Sequence, residues 1–402
     1  MSMPQVAFED VLAARDLLDG VALRTPVLHS HVLSGLLGGP VHLKCEHLQR
    51  SGSFKVRGAY VRIARLGPEE LRRGVVAASA GNHAQGVALS SGLLGTEATV
   101  YMPEGAPLPK VAATRSYGAD VVFAGHTVDA ALNSAKEHAE RTGAVFIHPF
   151  DHPDVVAGQG TIGLEILEQL PETATIAVSI GGGGLAAGVA LAAKSLRPGV
   201  RVVGVQAERA AAYPASLAAG HPVAVRPATT MADGIAVGRP GDLPFELIHY
   251  LVDTVVTVTE QEISRALVLC AERAKQVVEP AGAAGVAAVM AHPEVFEPPV
   301  AVVLSGGNID PLLLVKVLRH GLAAAGRYLT LRLALPDRPG TLAALMAEIA
   351  GMGANVLDIA HERVGVDLGE VEVQLHLETR GPDHAEEVLG SLRKRGYRPV
   401  AG

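Results

Sequence analysis

The chain has 402 residues, 49% hydrophobic and 19% charged, enough for two or three domains with a sizeable core. Its 34 Lys+Arg against 41 Asp+Glu give a net charge of −7, and scattered basic residues with no Trp leave no nucleic-acid footprint. Two cysteines, Cys45 and Cys270, cannot make a disulfide framework and read as small core residues of a reducing compartment.

The N-terminal MSMPQVAFEDVLAARDLLDG carries acids and Arg15 where a secretory leader needs an apolar stretch. With the cysteine usage this predicts a cytoplasmic protein. An amphipathic helix is expected over 8–18 and a strand over 41–45. Strands at 75–79, 98–102, 120–123 and 144–147 then alternate with helices at 83–93, 110–117 and 129–141. The pattern recurs with strands at 175–180, 200–206 and 300–304 and a helix from Leu185. Such alternation predicts parallel sheets covered on both faces, with ligands bound at the carboxyl ends of the strands. The longest uncharged run, 173–193, approaches a membrane span in length. Four glycines in its middle favour strand, turn and helix, so no membrane partner is expected.

Near Gly326 the texture changes. Residues 328–335 (YLTLRLAL) form a period-2 strand, and 336–340 (PDRPG) signal a turn. A helix (341–350), two strands (355–364 and 370–379), a helix (383–395) and a short last strand (397–400) follow. This β-α-β-β-α order predicts a small ferredoxin-like unit, joined to the rest by a linker at 320–327.

Four segments carry chemistry, each where a strand hands over to a helix. In SGSFKVRG (51–58) a lysine, Lys55, sits among small residues at a helix start; an amine at that positive end has a lowered pKa and suits Schiff-base chemistry. In SAGNHAQG (79–86) the turn offers N–H groups and the Asn82 amide to an anion such as a carboxylate. Each of these two also fits an ordinary capped turn, and His83 alone reads as structural. The third, Gly181-Gly182-Gly183-Gly184-Leu185, lets several N–H groups converge on a phosphate at a helix N-terminus. A dinucleotide fold is a rival for that loop, yet the strand end where its acid belongs carries Gln206. The fourth, SGGN (305–308), ends a strand in the hydroxyl of Ser305.

Together and in this order the segments resemble the fold-type II pyridoxal-phosphate family, in its serine/threonine dehydratase and serine racemase branch. The resemblance covers about residues 7–320 and includes SGSFKVRGA, SAGNHAQGVA, GGGGLAAG, ADGI (232–235), EPAGAAG (279–285) and SGGN. It implies an α/β fold of two parallel-sheet αβα domains, the larger from 1–50 and 151–320 and the smaller, on the substrate side, from 51–150. It also implies a pyridoxal 5'-phosphate cofactor joined to Lys55 and flanked by Phe54. Asn82 would bond the cofactor's phenolic oxygen, Gly181 to Gly184 with Leu185 its phosphate, and Ser305 its pyridine nitrogen. Ser79, Ala80, Gly81 and His83 would surround the substrate carboxylate, with Glu279 near the substrate or ring oxygen. The implied reaction is dehydration of L-threonine, and also of L-serine, to a 2-oxo acid and ammonia, with Lys55 taking the α-proton.

Racemases of the family carry Ser where this chain has Ala80, which has no proton to give the opposite face. The family's divalent-cation site uses carboxylates where this chain has Gln206 and the alanines of 210–212, so no metal is expected there. β-Replacement shares the fold and early steps, and a non-catalytic amino-acid sensor is a reading from another class. Residues 328–402 resemble an ACT domain through D-R-P-G-T (337–341). That implies an amino-acid effector, isoleucine or valine, bound between paired chains of a homodimer or homotetramer.

Overall fold

The structure, a computed structural model, describes residues 6–363 and 369–401, and the chain divides into two compact units, Met1–Pro311 and Leu312–Gly402. Among the described residues the first unit holds ten strands: β1 (Val27–His29), β2 (Val41–Lys44), β3 (Val75–Ala78), β4 (Ala98–Met102), β5 (Asp120–Phe123), β6 (Val145–Phe146), β7 (Thr175–Ser179), β8 (Arg201–Ala207), β9 (Thr254–Val258) and β10 (Val300–Val303). They form a six-stranded sheet, ordered β1-β2-β10-β7-β8-β9, and a four-stranded sheet, ordered β5-β4-β3-β6. All neighbours run parallel except the antiparallel pair β1 and β2.

The sequence explains why. The strands β3, β7 and β10 are buried at every position, as runs made mostly of Val, Ile and Ala demand when helices cover both faces. One helix, Lys55–Ala64, belongs to both lobes. Its Ala59 and Ile63 join the core of the four-stranded sheet, while its Val61 joins that of the six-stranded sheet. Lys55, the first residue of that helix, therefore stands where the lobes meet.

In the second unit a helix (Pro311–Ala324, from the last residue of the first unit) leads to β11 (Tyr328–Pro336), β12 (Asn355–Glu362), β13 (Glu370–Glu378) and β14 (Val400–Ala401). These form an antiparallel sheet ordered β12-β13-β11-β14, with helices Thr341–Gly351 and Pro382–Lys394 in the β-α-β-β-α-β sequence. The alternation of β11 and β13 points Leu331, Leu333 and Leu335 with Val371, Val373, Leu375 and Leu377 into one core. Residue 364, expected to end β12, lies outside the described residues. The expected linker at 320–327 is corrected, because the helix continues through Ala324. Leu322, Ala323 and Ala324 are good helix formers, and Gly326, at φ 65°, follows the helix's end. Among the described residues no helix is long and apolar enough to cross a membrane.

Candidate active site

Between the two sheets of the first unit lies a cavity of about 450 Å³. It is lined by Phe54, Lys55, Ser79, Ala80, Gly81, Asn82, His83, Gly181 to Gly184, Leu185, Glu279 and Ser305, so the expected site residues converge on one space.

Backbone and side-chain hydrogen bonds join the four motifs. Phe54 N–H donates to the Ser305 carbonyl (3.2 Å) and Gly307 N–H to the Gly52 carbonyl (2.9 Å), tying the lysine loop to the loop after β10. The Asn308 amide donates to the Ser51 carbonyl (2.6 Å) and to Asn82 Oδ1 (2.9 Å). Asn82 Nδ2 in turn donates to Glu279 Oε1 (2.6 Å). At the end of β7, Ser179 Oγ donates to Ser305 Oγ (3.2 Å), which links the strand before the glycine loop to the same cluster.

Lys55 is half-buried, with Nζ donating to the Pro149 carbonyl (2.9 Å) and lying 5.2 Å from the Phe54 ring centre. Burial lowers its amine to about 8, with Glu279 acting against the shift. Burial, followed by the charge of Asp233, raises the Glu279 carboxyl to about 7, against Asn82, Lys110 and Lys55.

The Ser79 hydroxyl accepts from Gly81 N–H (3.1 Å) and shapes the turn before the helix Asn82–Leu94. His83 Nε2 donates to the Ile147 carbonyl (2.9 Å), since that oxygen can only accept. Burial, then the charge of Lys55, drives His83 down to about 3, so its ring is neutral.

The glycine loop precedes the helix Gly184–Leu196, which has no side-chain cap, so its first N–H groups are free of that competition. A Cβ on Gly182 would fall 2.4 Å from the Phe150 ring. Gly183 has φ 106°, and a Cβ there would fall 1.9 Å from the Tyr213 hydroxyl. Neither position admits a side chain. A half-buried amine, a glycine loop with no side chains lining the cavity and a seryl hydroxyl form a donor set that fits pyridoxal 5'-phosphate.

Residues 18–306 match the family described as pyridoxal-phosphate dependent enzymes. The chain belongs to that family. This pyridoxal-phosphate enzyme is 48% identical to the L-threonine ammonia-lyase of Thermotoga maritima over 98% of both chains. It is also similar to the solved processed form of threonine deaminase isoform 2 from Solanum lycopersicum, at 37% identity and TM-score 0.74 over 79% of this chain and 95% of that one. Maize serine racemase aligns with TM-score 0.74 and 35% identity, over 79% and 98% respectively.

Several residues of the enzyme's cleft escaped sequence reading. Phe150, under Gly182 and Gly184, lies in the loop that follows β6; the rule that ligands sit at strand carboxyl ends points there. Lys110 pairs with Asp233 at 2.9 Å across the cavity mouth, 123 residues apart in sequence; no spacing signals such a pair. Gln206 is fully buried, with Oε1 accepting from Tyr213 N–H (2.8 Å) and Nε2 donating to the Ile180 carbonyl (3.4 Å). Ala210 and Ala212 are also buried.

Proposed function

We propose that this enzyme is an L-threonine ammonia-lyase, converting L-threonine to 2-oxobutyrate and ammonia with L-serine as a second substrate. The reading is carried by Lys55, a half-buried amine with no carboxylate paired to it among the described residues, which lines the same cavity as the glycine loop. Its likeness to a relative named L-threonine ammonia-lyase over nearly its whole length supports the choice of substrate.

Lys55 and Phe54 would hold the cofactor ring, Asn82 its phenolic oxygen, Gly181 to Gly184 with Leu185 N–H its phosphate, and Ser305 its pyridine nitrogen. When bound, the cofactor supplies a carbonyl carbon for amines and a sink for negative charge at the substrate Cα. The turn of Ser79, Ala80 and Gly81 surrounds the substrate carboxylate, with neutral His83 holding that loop to the end of β6. The Lys55 amine, kept near 8 by burial, takes the Cα proton. The β-hydroxyl leaves as water, and the released enamine takes up water to give 2-oxobutyrate and ammonia. Within the first unit, 51–150 acts as the substrate-side domain and 1–50 with 151–311 as the cofactor-binding one, the expected bound of 320 being cut back to Pro311.

Racemisation is the second reading, favoured by the likeness to maize serine racemase. Residue 80 is Ala, whose methyl cannot deliver a proton to the opposite face, so elimination is preferred. Discrimination between threonine and serine rests on one methyl, about 1–3 kcal/mol at most. No divalent cation is needed at Gln206, and activity is expected to survive a chelator.

The unit from Tyr328 onward is an ACT domain that binds isoleucine or valine between paired chains of a cytoplasmic homodimer or homotetramer. Truncation after Gly326 should abolish the effector response. The test of the catalytic reading is 2-oxo acid release by purified protein given L-threonine or L-serine. Formation of 2-oxobutyrate from L-threonine, lost in Lys55→Ala, is expected; D-serine or D-threonine accumulating instead would overturn the reading.

A further inference from the structure

We propose that Tyr213 is a positioning residue for the phosphate-binding glycine loop, fixing the peptide between Gly182 and Gly183 from the side away from the cavity. The inference rests on the assignment of that loop to the cofactor phosphate.

The Gly182 carbonyl accepts two hydrogen bonds, from Gly241 N–H (3.0 Å) and from the Tyr213 hydroxyl (3.2 Å). Tyr213 is fully buried and is not among the residues that line the cavity, whereas Gly182 and Gly183 are. In a trans peptide the carbonyl and the following N–H point in opposite directions. Two donors that hold the Gly182 oxygen away from the cavity therefore turn the Gly183 N–H toward it. That orientation is demanding, because Gly183 sits at φ 106°, where a backbone without Cβ has many alternatives. The clearance is equally tight, since the hydroxyl occupies the place a Cβ on Gly183 would take. The loop cannot sag toward Tyr213.

Tyr213 is itself anchored. It opens the short helix Tyr213–Ala219, and its N–H donates to Gln206 Oε1 at 2.8 Å, at the end of β8. Gln206 also reaches the Ile180 carbonyl, one residue before the loop. A neutral amide at this strand end joins the strand, the tyrosine and the glycine loop in one hydrogen-bonded unit. Burial raises the Tyr213 phenol, with the nearby Asp151 charge adding to it, so the hydroxyl remains a donor.

The test uses full-length apoprotein titrated with pyridoxal 5'-phosphate and, separately, with pyridoxal, which lacks the phosphate. Schiff-base absorbance is the readout. In Tyr213→Phe, affinity for pyridoxal 5'-phosphate should fall about ten-fold, as expected for one hydrogen bond, while affinity for pyridoxal should not change. Gln206→Met, which frees the Tyr213 N–H from its anchor, should show the same selective loss to a smaller degree. Equal loss for both compounds would mean general damage to the cleft, and no change for either would mean the loop holds without Tyr213; both overturn the proposal. Wild-type protein that binds both compounds equally would instead refute the phosphate assignment of the loop.

Discussion

Two lysines eleven positions apart, the fully buried Lys44 and the half-buried Lys55, occupy opposite kinds of surroundings. Lys44, at the end of β2, donates to Glu165 Oε2 (2.5 Å), Gln169 Oε1 (2.8 Å) and the Thr25 carbonyl (2.9 Å). Glu165 also accepts from Arg57 (2.6 Å), which reaches Glu46 at 2.8 Å. Two cations thus meet two carboxylates, and every charge has a partner. Burial works against the charged form of Glu46, yet Arg57 holds its carboxyl below the ordinary range. Lys55 has the Pro149 carbonyl and, among the described residues, no ion pair. Burial lowers both amines. Full coordination makes one lysine part of the frame, and incomplete coordination leaves the other available for chemistry.

Methionine substitutions separate the two roles. Lys55→Met should reduce 2-oxo acid release by at least about 10³-fold, since it removes both cofactor attachment and the proton acceptor. It should not lower the unfolding temperature of the apoprotein, because a half-buried, desolvated amine without an ion pair disappears; a large drop there would make Lys55 structural. Arg57→Met should cost about 3–5 kcal/mol in denaturant unfolding by stranding the buried Glu46, and a neutral result would break the view of the cluster as a closed unit. Lys44→Met should cost about 1–3 kcal/mol with kcat preserved, measured by the same unfolding and turnover assays. The smallest effect concerns pH. An amine at about 8 is mostly protonated below that value and cannot attack a carbonyl. Uptake of pyridoxal 5'-phosphate by apoprotein should therefore rise about ten-fold per pH unit up to pH 7 and level off above 8. Levelling only near 10.5 would contradict the burial effect.

What the sequence reveals follows from the range of the forces involved. Most of the parallel strands are legible because buried strands are rich in Val, Ile and Ala, and the motifs because glycine and small polar residues cluster at strand ends; the half-buried parallel strand β9 is not. The second unit's order is legible from period-2 leucines in β11. The cluster around Arg57 is not, since Glu46 and Glu165 come from separate elements brought together only by packing. Tyr213 and Phe150 are equally silent in sequence, because their role beside the glycine loop is set by contact alone. The stretch 320–327 misleads for a local reason: small, uncharged residues suit a helix as well as a linker.

The most direct test of this account is borohydride reduction of the cofactor-loaded protein followed by peptide mapping. The phosphopyridoxyl mass should appear on Lys55 in the peptide containing SGSF. Label on Lys44 or Lys110, with Lys55 unmodified, would contradict the assignment of Lys55 as the reactive amine.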